Sequence, residues 1–107
     1  MDSDNAKLLA MIGMSRRAGK LVLGFDVVAD TVRSGKVQSV FYASDISPKT
    51  LKELRFLCER EEAEAVAVNA TMDEIGHITA KRVGIFAVTD AGLRRKISEL
   101  AECGGKI

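Results

Sequence analysis

The sequence predicts an α/β protein, a three-layer α/β/α sandwich in which helices cover both faces of a four-stranded sheet. Short apolar runs typical of buried strands alternate with segments whose apolar residues recur at helical spacing. Turn and capping residues separate these segments. The alternation favours a mostly parallel or mixed sheet, because parallel strands need helical crossovers. With 47% apolar residues in a chain of 107, we expect a single domain over 1–107.

The first half of the chain contains two helical and two strand patterns. After a polar leader, 1–5, that we expect to be frayed, the predicted elements are a helix at 6–17, a strand at 21–23, a helix at 25–34 and a strand at 40–43. Gly24 breaks the first strand, and Val28 and Val32 carry the inner face of the helix that follows. Gly35 lies just past that helix, where helices commonly end in a left-handed conformation.

The second half repeats the alternation, with clearer helix starts. The predicted elements are a helix from Pro48, a strand at 65–68, a short helix to about 79, a strand at 83–89 and a helix after Asp90 that ends at Gly104 and Gly105. Ser47 is a good N-cap for the first of these helices, and Pro48 suits its first helical position. Thr71 and Glu74 form a capping-box pattern at the start of the short helix. The last strand is apolar throughout and is expected to be central. Residues 103–107 are expected to be frayed.

Basic residues lie on both sides of the glycine turn in the sequence. Arg16, Arg17 and Lys20 precede Gly24, and Lys36 follows the next helix. A strand that turns through glycine into a helix exposes backbone N–H groups and a positive dipole end, which suit phosphates. The arginines also suit the negative end of the first helix, so a purely structural role remains open.

A second basic loop, Lys81 with Arg82, is expected to stand beside the glycine turn. Such a pair of loops on a rigid sandwich suits folded RNA, which is recognised by shape and by unstacked bases. Phe25, directly after Gly24, either stacks on a base or folds into the core, and the sequence leaves both open.

Bulk properties exclude several classes of protein. The net charge is +1, from 16 basic and 15 acidic residues, so nucleic-acid binding would have to come from local clustering. No apolar run approaches the length of a membrane span, and the N-terminus lacks the basic start of a signal peptide. Cys58 and Cys103 do not form a metal-spaced cluster, so we expect reduced thiols, no metal, no cofactor and a cytoplasmic protein.

Catalysis has little support in the sequence. His77 lies on a short amphipathic helix and fits a structural role. Asp45, Asn69 and Asp90 each follow a predicted strand, and ligands of open α/β sheets bind beyond the carboxyl ends of strands. The same residues fit helix caps and turns. A receiver-like, phosphoryl-accepting domain is therefore the enzyme-class alternative.

Several segments together resemble the ribosomal protein L-seven-Ae family, in particular its small bacterial members. The segments are RAGKLVLG at 17–24, RSGK at 33–36, ASDIS at 43–47, IGH at 75–77 and FAVTD at 86–90, within a resemblance that covers roughly 6–100. The resemblance implies an α/β/α sandwich that binds kink-turn RNA. It also implies that the loop-to-helix turn reads sheared G·A pairs and that a second loop, here about 78–83, packs on flipped-out nucleotides.

The chain departs from the signature that the resemblance implies. The family pattern is Gly, any residue, Asn, Glu, and Lys three positions after the Glu. Gly24 matches, whereas Asp26, Val27 and Asp30 replace Asn, Glu and Lys. An Asp can accept hydrogen bonds from guanine but cannot donate, and it repels phosphate. The second loop carries Lys81 and Arg82 in place of a purely apolar tip.

The sequence thus predicts a non-catalytic, monomeric RNA-binding protein whose partner is structured RNA, of kink-turn or ribosomal type, with ribosomal or other RNA-associated proteins as further partners. The candidate RNA-binding residues are Arg16, Arg17, Lys20, Gly24, Phe25, Asp26, Val27, Asp30, Lys36, Lys81 and Arg82. The alternative from another class is a protein-interaction module on the same fold. Its candidate surfaces are the acidic segment 59–64 and the apolar stripe of the last helix.

Overall fold

A computed structural model describes residues 3–105 of the chain. Within them, the predicted elements are all present and in the predicted order. They are α1 (Ser3–Arg17), β1 (Leu21–Leu23), α2 (Phe25–Arg33), β2 (Ser39–Tyr42), α3 (Pro48–Glu61), β3 (Glu64–Ala67), α4 (Met72–Thr79), β4 (Ile85–Val88) and α5 (Ala91–Gly105). The predicted α/β architecture is confirmed.

Several element boundaries differ from the prediction by a few residues. α1 begins at Ser3, so residues 3–5 are helical and not a frayed leader, and the Asn5 side-chain amide donates to the Asn69 carbonyl. α5 ends at Gly105, within the glycine pair as expected, although residues 103–105, which were expected to be frayed, are helical. The remainder of both expected frayed ends lies outside the described residues. β4 is limited to Ile85–Val88, shorter than the predicted 83–89.

The sheet is mixed, with strand order β1-β4-β2-β3. β4 pairs antiparallel with both β1 and β2, and β2–β3 is the one parallel pair among the described strands. The mixed form of the prediction is therefore confirmed and the mostly parallel form is wrong. β4 is central, as its uninterrupted apolar sequence predicted.

Alternate residues of the central strands face opposite helical layers. Phe41 and Phe86 point to the layer of α1, α4 and α5, and their ring centroids lie 5.2 Å apart. Val40 and Ile85 point to the layer of α2 and α3. This period of two is what a strand buried on both faces requires, since successive side chains point to opposite sides.

The apolar stripe of α5 belongs to the core. Ile97 is fully buried, and Leu93 and Leu100 pack against the same cluster, which includes Leu8 and Ile12 of α1. The stripe is therefore not a free surface for a protein partner, and that expectation was wrong. No helix among residues 3–105 combines the length and apolarity that crossing a bilayer requires.

Candidate nucleic-acid interface

The turn between β1 and α2 depends on the backbone conformation of Gly24. Its φ of 97° and ψ of 150° lie in a region that side chains with a Cβ rarely adopt. The Gly24 N–H donates to the Ile85 carbonyl at 2.9 Å, and its own carbonyl accepts from the Val28 N–H at 3.0 Å. An added Cβ would meet nothing within 4 Å, so the requirement for glycine is conformational and not steric.

The N-terminus of α2 is not capped by a side chain. Gly24 occupies the N-cap position and has no side chain to accept a hydrogen bond, and none of the described side chains takes its place. The first-turn N–H groups of 25–27 therefore lack helical partners, and the positive end of the helix dipole points outward. Such an end suits the oxygens of a phosphate or a base edge.

This helix end forms one wall of an open groove of about 460 Å³, here termed the glycine groove. The groove gathers residues from four separate parts of the chain. They are Gly24, Phe25, Asp45, Ile46, Ser47, Thr50, Met72, Arg82, Val83, Gly84 and Ile85. The glycine turn and the α4–β4 loop thus lie side by side, as expected from the sequence.

The α4–β4 loop is held close to α4 by a small residue and a buried hydroxyl. A Cβ on Gly76 would lie 3.0 Å from the Arg82 Cα, so the loop backbone packs directly on this glycine. The Thr79 Oγ1 lies 2.9 Å from the Ile75 carbonyl oxygen and 3.0 Å from the Lys81 carbonyl oxygen. These contacts hold Arg82 in the wall of the groove, whereas Lys81 is exposed on the same loop and does not line the groove.

The Arg82 guanidinium is the cation that lines the glycine groove. Its Nε donates to the Asp73 Oδ1 at 2.6 Å, and this hydrogen bond and the charge of Asp73 raise the pKa of Arg82. The Asp45 carboxylate adds to the same shift, but its Oδ1 is engaged by the Met72 N–H at 2.9 Å. The remaining N–H groups of Arg82 stay exposed and can donate to a ligand.

A second groove, the α2–α3 groove, adjoins the first. It has a volume of about 570 Å³ and is lined by Phe25, Asp26, Arg33, Lys52, Glu53, Phe56, Leu57 and Arg60. Phe25 borders both grooves and also packs against the core beneath α2. The two interpretations of Phe25 thus describe two sides of one half-buried ring.

The remaining signature positions lie along the exposed side of α2, away from the glycine groove. Asp26 faces the α2–α3 groove. Val27 is 54% exposed, although it is a large apolar side chain. Asp30 lies one helical turn further on, where its Oδ1 is 3.5 Å from the Arg33 Nη1. Gly24 and Phe25 are therefore the signature positions that border the glycine groove.

A model of the Ribosomal protein L7Ae/L30e/S12e/Gadd45 family matches residues 6–98. The chain belongs to this family. The resemblance noted in the sequence segments is thereby confirmed.

Two curated members of the L7Ae/L30e/S12e/Gadd45 family are similar over most of the chain. The RNA-binding protein YlxQ of Enterococcus faecium is 29% identical over 101 residues, which cover 94% of this chain and 97% of that protein. The large ribosomal subunit protein eL30B of Schizosaccharomyces pombe is 30% identical over 93 residues, covering 85% and 76% respectively.

Solved structures share the fold. A protein of unknown function from Bacillus halodurans C superposes with a TM-score of 0.81 at 30% identity, covering 91% of this chain and 98% of that one. The Giardia lamblia 15.5kD RNA binding protein superposes with a TM-score of 0.73, covering 96% and 91%. At 15% identity, that second likeness concerns the L7Ae-type fold alone.

Four of the predicted cations do not surround the glycine groove, which corrects the expectation drawn from their order in the sequence. The Lys20 carbonyl accepts from the Thr89 N–H at 2.9 Å beyond the end of β4, whereas Gly24 pairs with Ile85 at its start. Lys20 and Gly24 are thus separated by the length of β1, about 13 Å for four extended residues. Arg16 and Arg17, in the last turn of α1, and Lys36, which follows α2, lie at the Lys20 end.

The carboxylates of the receiver-like alternative are also separated. Asp45 follows β2 and Asp90 follows β4, and these strands run antiparallel, so the two residues lie at opposite ends of the sheet. Each carboxylate accepts a backbone N–H at the start of a helix, from Met72 and Leu93 respectively, both at 2.9 Å. The structure favours their role as caps over a shared phosphoryl site.

Several groove residues did not emerge as site residues from the sequence. Ile46 and Ser47 come from the β2–α3 connection and Thr50 from the first turn of α3, whereas Met72 begins α4 and Gly84 lies in the α4–β4 loop. The segment ASDIS at 43–47 contained the signal, because it follows a strand that ends beside the glycine turn. Using that signal required the strand directions, which the sequence alone does not supply.

Proposed function

We propose that this protein binds structured RNA without catalysing a reaction, and that the glycine groove is the contact. The observation that supports this most directly is that the uncapped N-terminus of α2 and the Arg82 guanidinium line the same groove. Both are donors suited to phosphate and sugar oxygens. Membership of a family that includes ribosomal proteins, and the similarity to a protein named as RNA-binding, support the same function.

The RNA that fits this arrangement best is a kink-turn or a similarly bent element. Its exposed base edges would meet the first-turn N–H groups of α2, and an unstacked base would lie on the exposed side of Phe25. Lys81 and Arg82 would contact the backbone on the other side of the groove. The protein acts as a cytoplasmic monomer, in company with ribosomal or other RNA-associated proteins.

The acidic signature positions set the strength of this interaction. Asp26 and Asp30 are both exposed on α2, the helix whose N-terminus lines the glycine groove. Each carboxylate repels phosphate, and Asp26 lacks the donor that an amide would supply. We therefore propose a kink-turn affinity lower than that of a chain carrying Asn and Lys at these two positions.

Isothermal titration calorimetry against a standard kink-turn and a matched straight duplex, each at low and high salt, tests the proposal. Selective binding of the kink-turn is the expected result, and Arg82→Gln should weaken it. Arg55→Gln is the matched control, because Arg55 is exposed on α3, outside both grooves. Equal affinity for both RNAs with the same steep salt dependence would indicate a general backbone reader and contradict the kink-turn proposal.

A protein-interaction module is the second candidate, and one observation favours it. Phe56 is 66% exposed on α3 and lines the α2–α3 groove together with Phe25 and Leu57, and contiguous exposed apolar surface marks protein contacts. In the same titrations this function predicts no binding of either RNA. Absence of RNA binding together with a folded wild-type protein would favour it.

A further inference from the structure

We propose that Lys20, Lys36 and Arg94 form a second RNA-backbone contact, at the end of the sheet opposite the glycine groove. Here this set of three cations is termed the basic end. The inference rests on the proposed function, in that it assigns the same class of partner, but it uses a different surface. Arg94 was not a candidate residue in the sequence analysis. In the structure it lies at the same end of the sheet as Lys20 and Lys36, which were expected beside the glycine turn.

The basic end is assembled around Thr89. The Lys20 carbonyl accepts hydrogen bonds from both the N–H and the Oγ1 of Thr89, at 2.9 Å and 3.3 Å. Lys36 and Arg94 line a small recess of about 190 Å³ that also includes Thr89. The backbone of Lys20 in the α1–β1 loop, Lys36 of the α2–β2 loop and Arg94 of α5 thus lie around Thr89, although they are far apart in the sequence.

These cations have no acidic partner among the described side chains. The ion pairs of the described residues involve Arg33, Arg60 and Arg82, and none includes a member of the basic end. Asp90 is the nearby carboxylate, and its Oδ2 is engaged by the Leu93 N–H at 2.9 Å. Arg16 and Arg17, in the last turn of α1, add positive charge beside Lys20.

Helix stability explains some of this charge but not all of it. Arg16 and Arg17 at the end of α1, and Lys36 after α2, suit the negative ends of those helices. Arg94 lies at the fourth residue of α5, where the positive end of the helix dipole disfavours a cation. Arg94 thus has no ion-pair partner among the described side chains, opposes the helix dipole and lies near Lys36. An anionic partner outside the chain accounts for this placement.

The positions of the two surfaces indicate which kind of RNA the protein would bind. β1 and β4 separate the basic end from the glycine groove, so the two surfaces would meet different segments of RNA backbone. The basic end offers lysine and arginine charges without an aromatic platform, which suits the phosphates of a duplex and not its bases. The protein would therefore hold two RNA segments together, one at each end of the sheet.

Fluorescence anisotropy with a labelled straight RNA duplex of about one helical turn tests the inference, measured with and without a saturating unlabelled kink-turn. The duplex should bind in both cases, because the surfaces are separate. The triple variant Lys20→Gln, Lys36→Gln, Arg94→Gln should lose most duplex affinity and flatten the salt dependence by about two to three charge equivalents. Its kink-turn affinity should stay unchanged.

The control triple Lys49→Gln, Lys52→Gln, Arg55→Gln removes the same charge from the exposed face of α3 and should retain duplex binding. Arg94→Gln alone should weaken duplex binding without lowering the melting temperature, an outcome that a structural role would not give. Competition between kink-turn and duplex, or equal losses in both triples, would overturn the inference. Duplex binding that depends on the basic end, without any kink-turn binding, would instead refute the proposed function and support this inference.

Discussion

The glycine turn derives its chemistry from the conformation of one residue. At φ 97°, Gly24 lets β1 stop and α2 start without an intervening loop, so the first-turn N–H groups face the groove. A residue with a side chain able to cap the helix would occupy one of those donors. The glycine is therefore needed for the backbone path, and the donors stay free as a consequence.

Gly24→Val should abolish kink-turn binding while the protein remains folded. The valine Cβ would meet no protein atom, but the positive φ would be strained, by about 1–3 kcal/mol, so the turn would rearrange. Gly35→Val is the matched control, because Gly35 also has a positive φ of 81° and open space around it, at the opposite end of α2. Both variants should lose similar stability in urea melts, and only the first should lose kink-turn affinity. Equal kink-turn affinity in the two variants would exclude the glycine turn as the contact.

Restoring the family's signature residues on α2 is predicted to raise kink-turn affinity, whereas Gly24→Val lowers it. Asp30→Lys should raise kink-turn affinity, and adding Asp26→Asn should raise it further, by on the order of 1–3 kcal/mol in total, or about 10- to 100-fold. The lost Asp30–Arg33 pair is exposed and contributes little stability.

The control for this pair is Glu59→Lys with Glu64→Gln, which adds the same positive charge on exposed positions of α3 and β3. Titrations of the double variant, the control and the wild type on one kink-turn would separate a local from a general charge effect. An affinity of the double variant no higher than that of the wild type would show that α2 does not face the RNA.

Helix starts could be predicted from the sequence because capping is local. The Ser47 side chain accepts from the Thr50 N–H at 3.1 Å. Thr71 and Glu74 exchange the two hydrogen bonds of a capping box, at 2.9 Å and 3.1 Å. The start of β4 could not be predicted in the same way, because Val83 and Gly84 belong to the groove wall and this depends on Ile46 from a distant segment.

Gly84→Ala should destabilise the protein and reshape the groove. The new Cβ would clash with the Ile46 Cγ2, so that β-branched side chain would have to change rotamer or move. Overpacking of this kind typically costs about 1–3 kcal/mol.

The matched control is Gly92→Ala in α5, where the nearest atom to a new Cβ is the Asp90 Oδ2 at 3.4 Å. There alanine should stabilise by about 0.5–1 kcal/mol through its helix propensity. Urea denaturation of both variants checks the difference, and RNA titration should show weaker binding for Gly84→Ala alone. Equal stability of the two variants would mean that Ile46 adapts freely.

At the scale of the whole molecule, strand direction decides which residues meet. The sequence predicts each strand, but a three-residue strand such as β1 carries no signal of its direction or partner. Its pairing with β4 joins Leu21 to Val88 and Leu23 to Phe86, residues more than sixty positions apart. This pairing separates Lys20 from Gly24 and brings Lys20 to Thr89, which no local pattern could have predicted.

The same topology leads to a prediction about chemistry, namely that the protein does not accept a phosphoryl group. A receiver-like site needs acidic side chains gathered around one Mg²⁺ at one edge of the sheet. Because β4 runs antiparallel to β2, Asp45 and Asp90 lie at opposite ends of strands that are about 13 Å long, and each carboxylate holds a backbone N–H at a helix start. Incubation with Mg²⁺ and a small phosphodonor, followed by mass spectrometry at neutral pH, should show unmodified protein, with a receiver domain as the positive control. Asp45→Ala and Asp90→Ala should lower thermal stability through the lost caps, but neither should change the labelling. A stable phosphoryl group on either aspartate of the wild type would contradict the role of both residues as caps and reopen the enzymatic alternative.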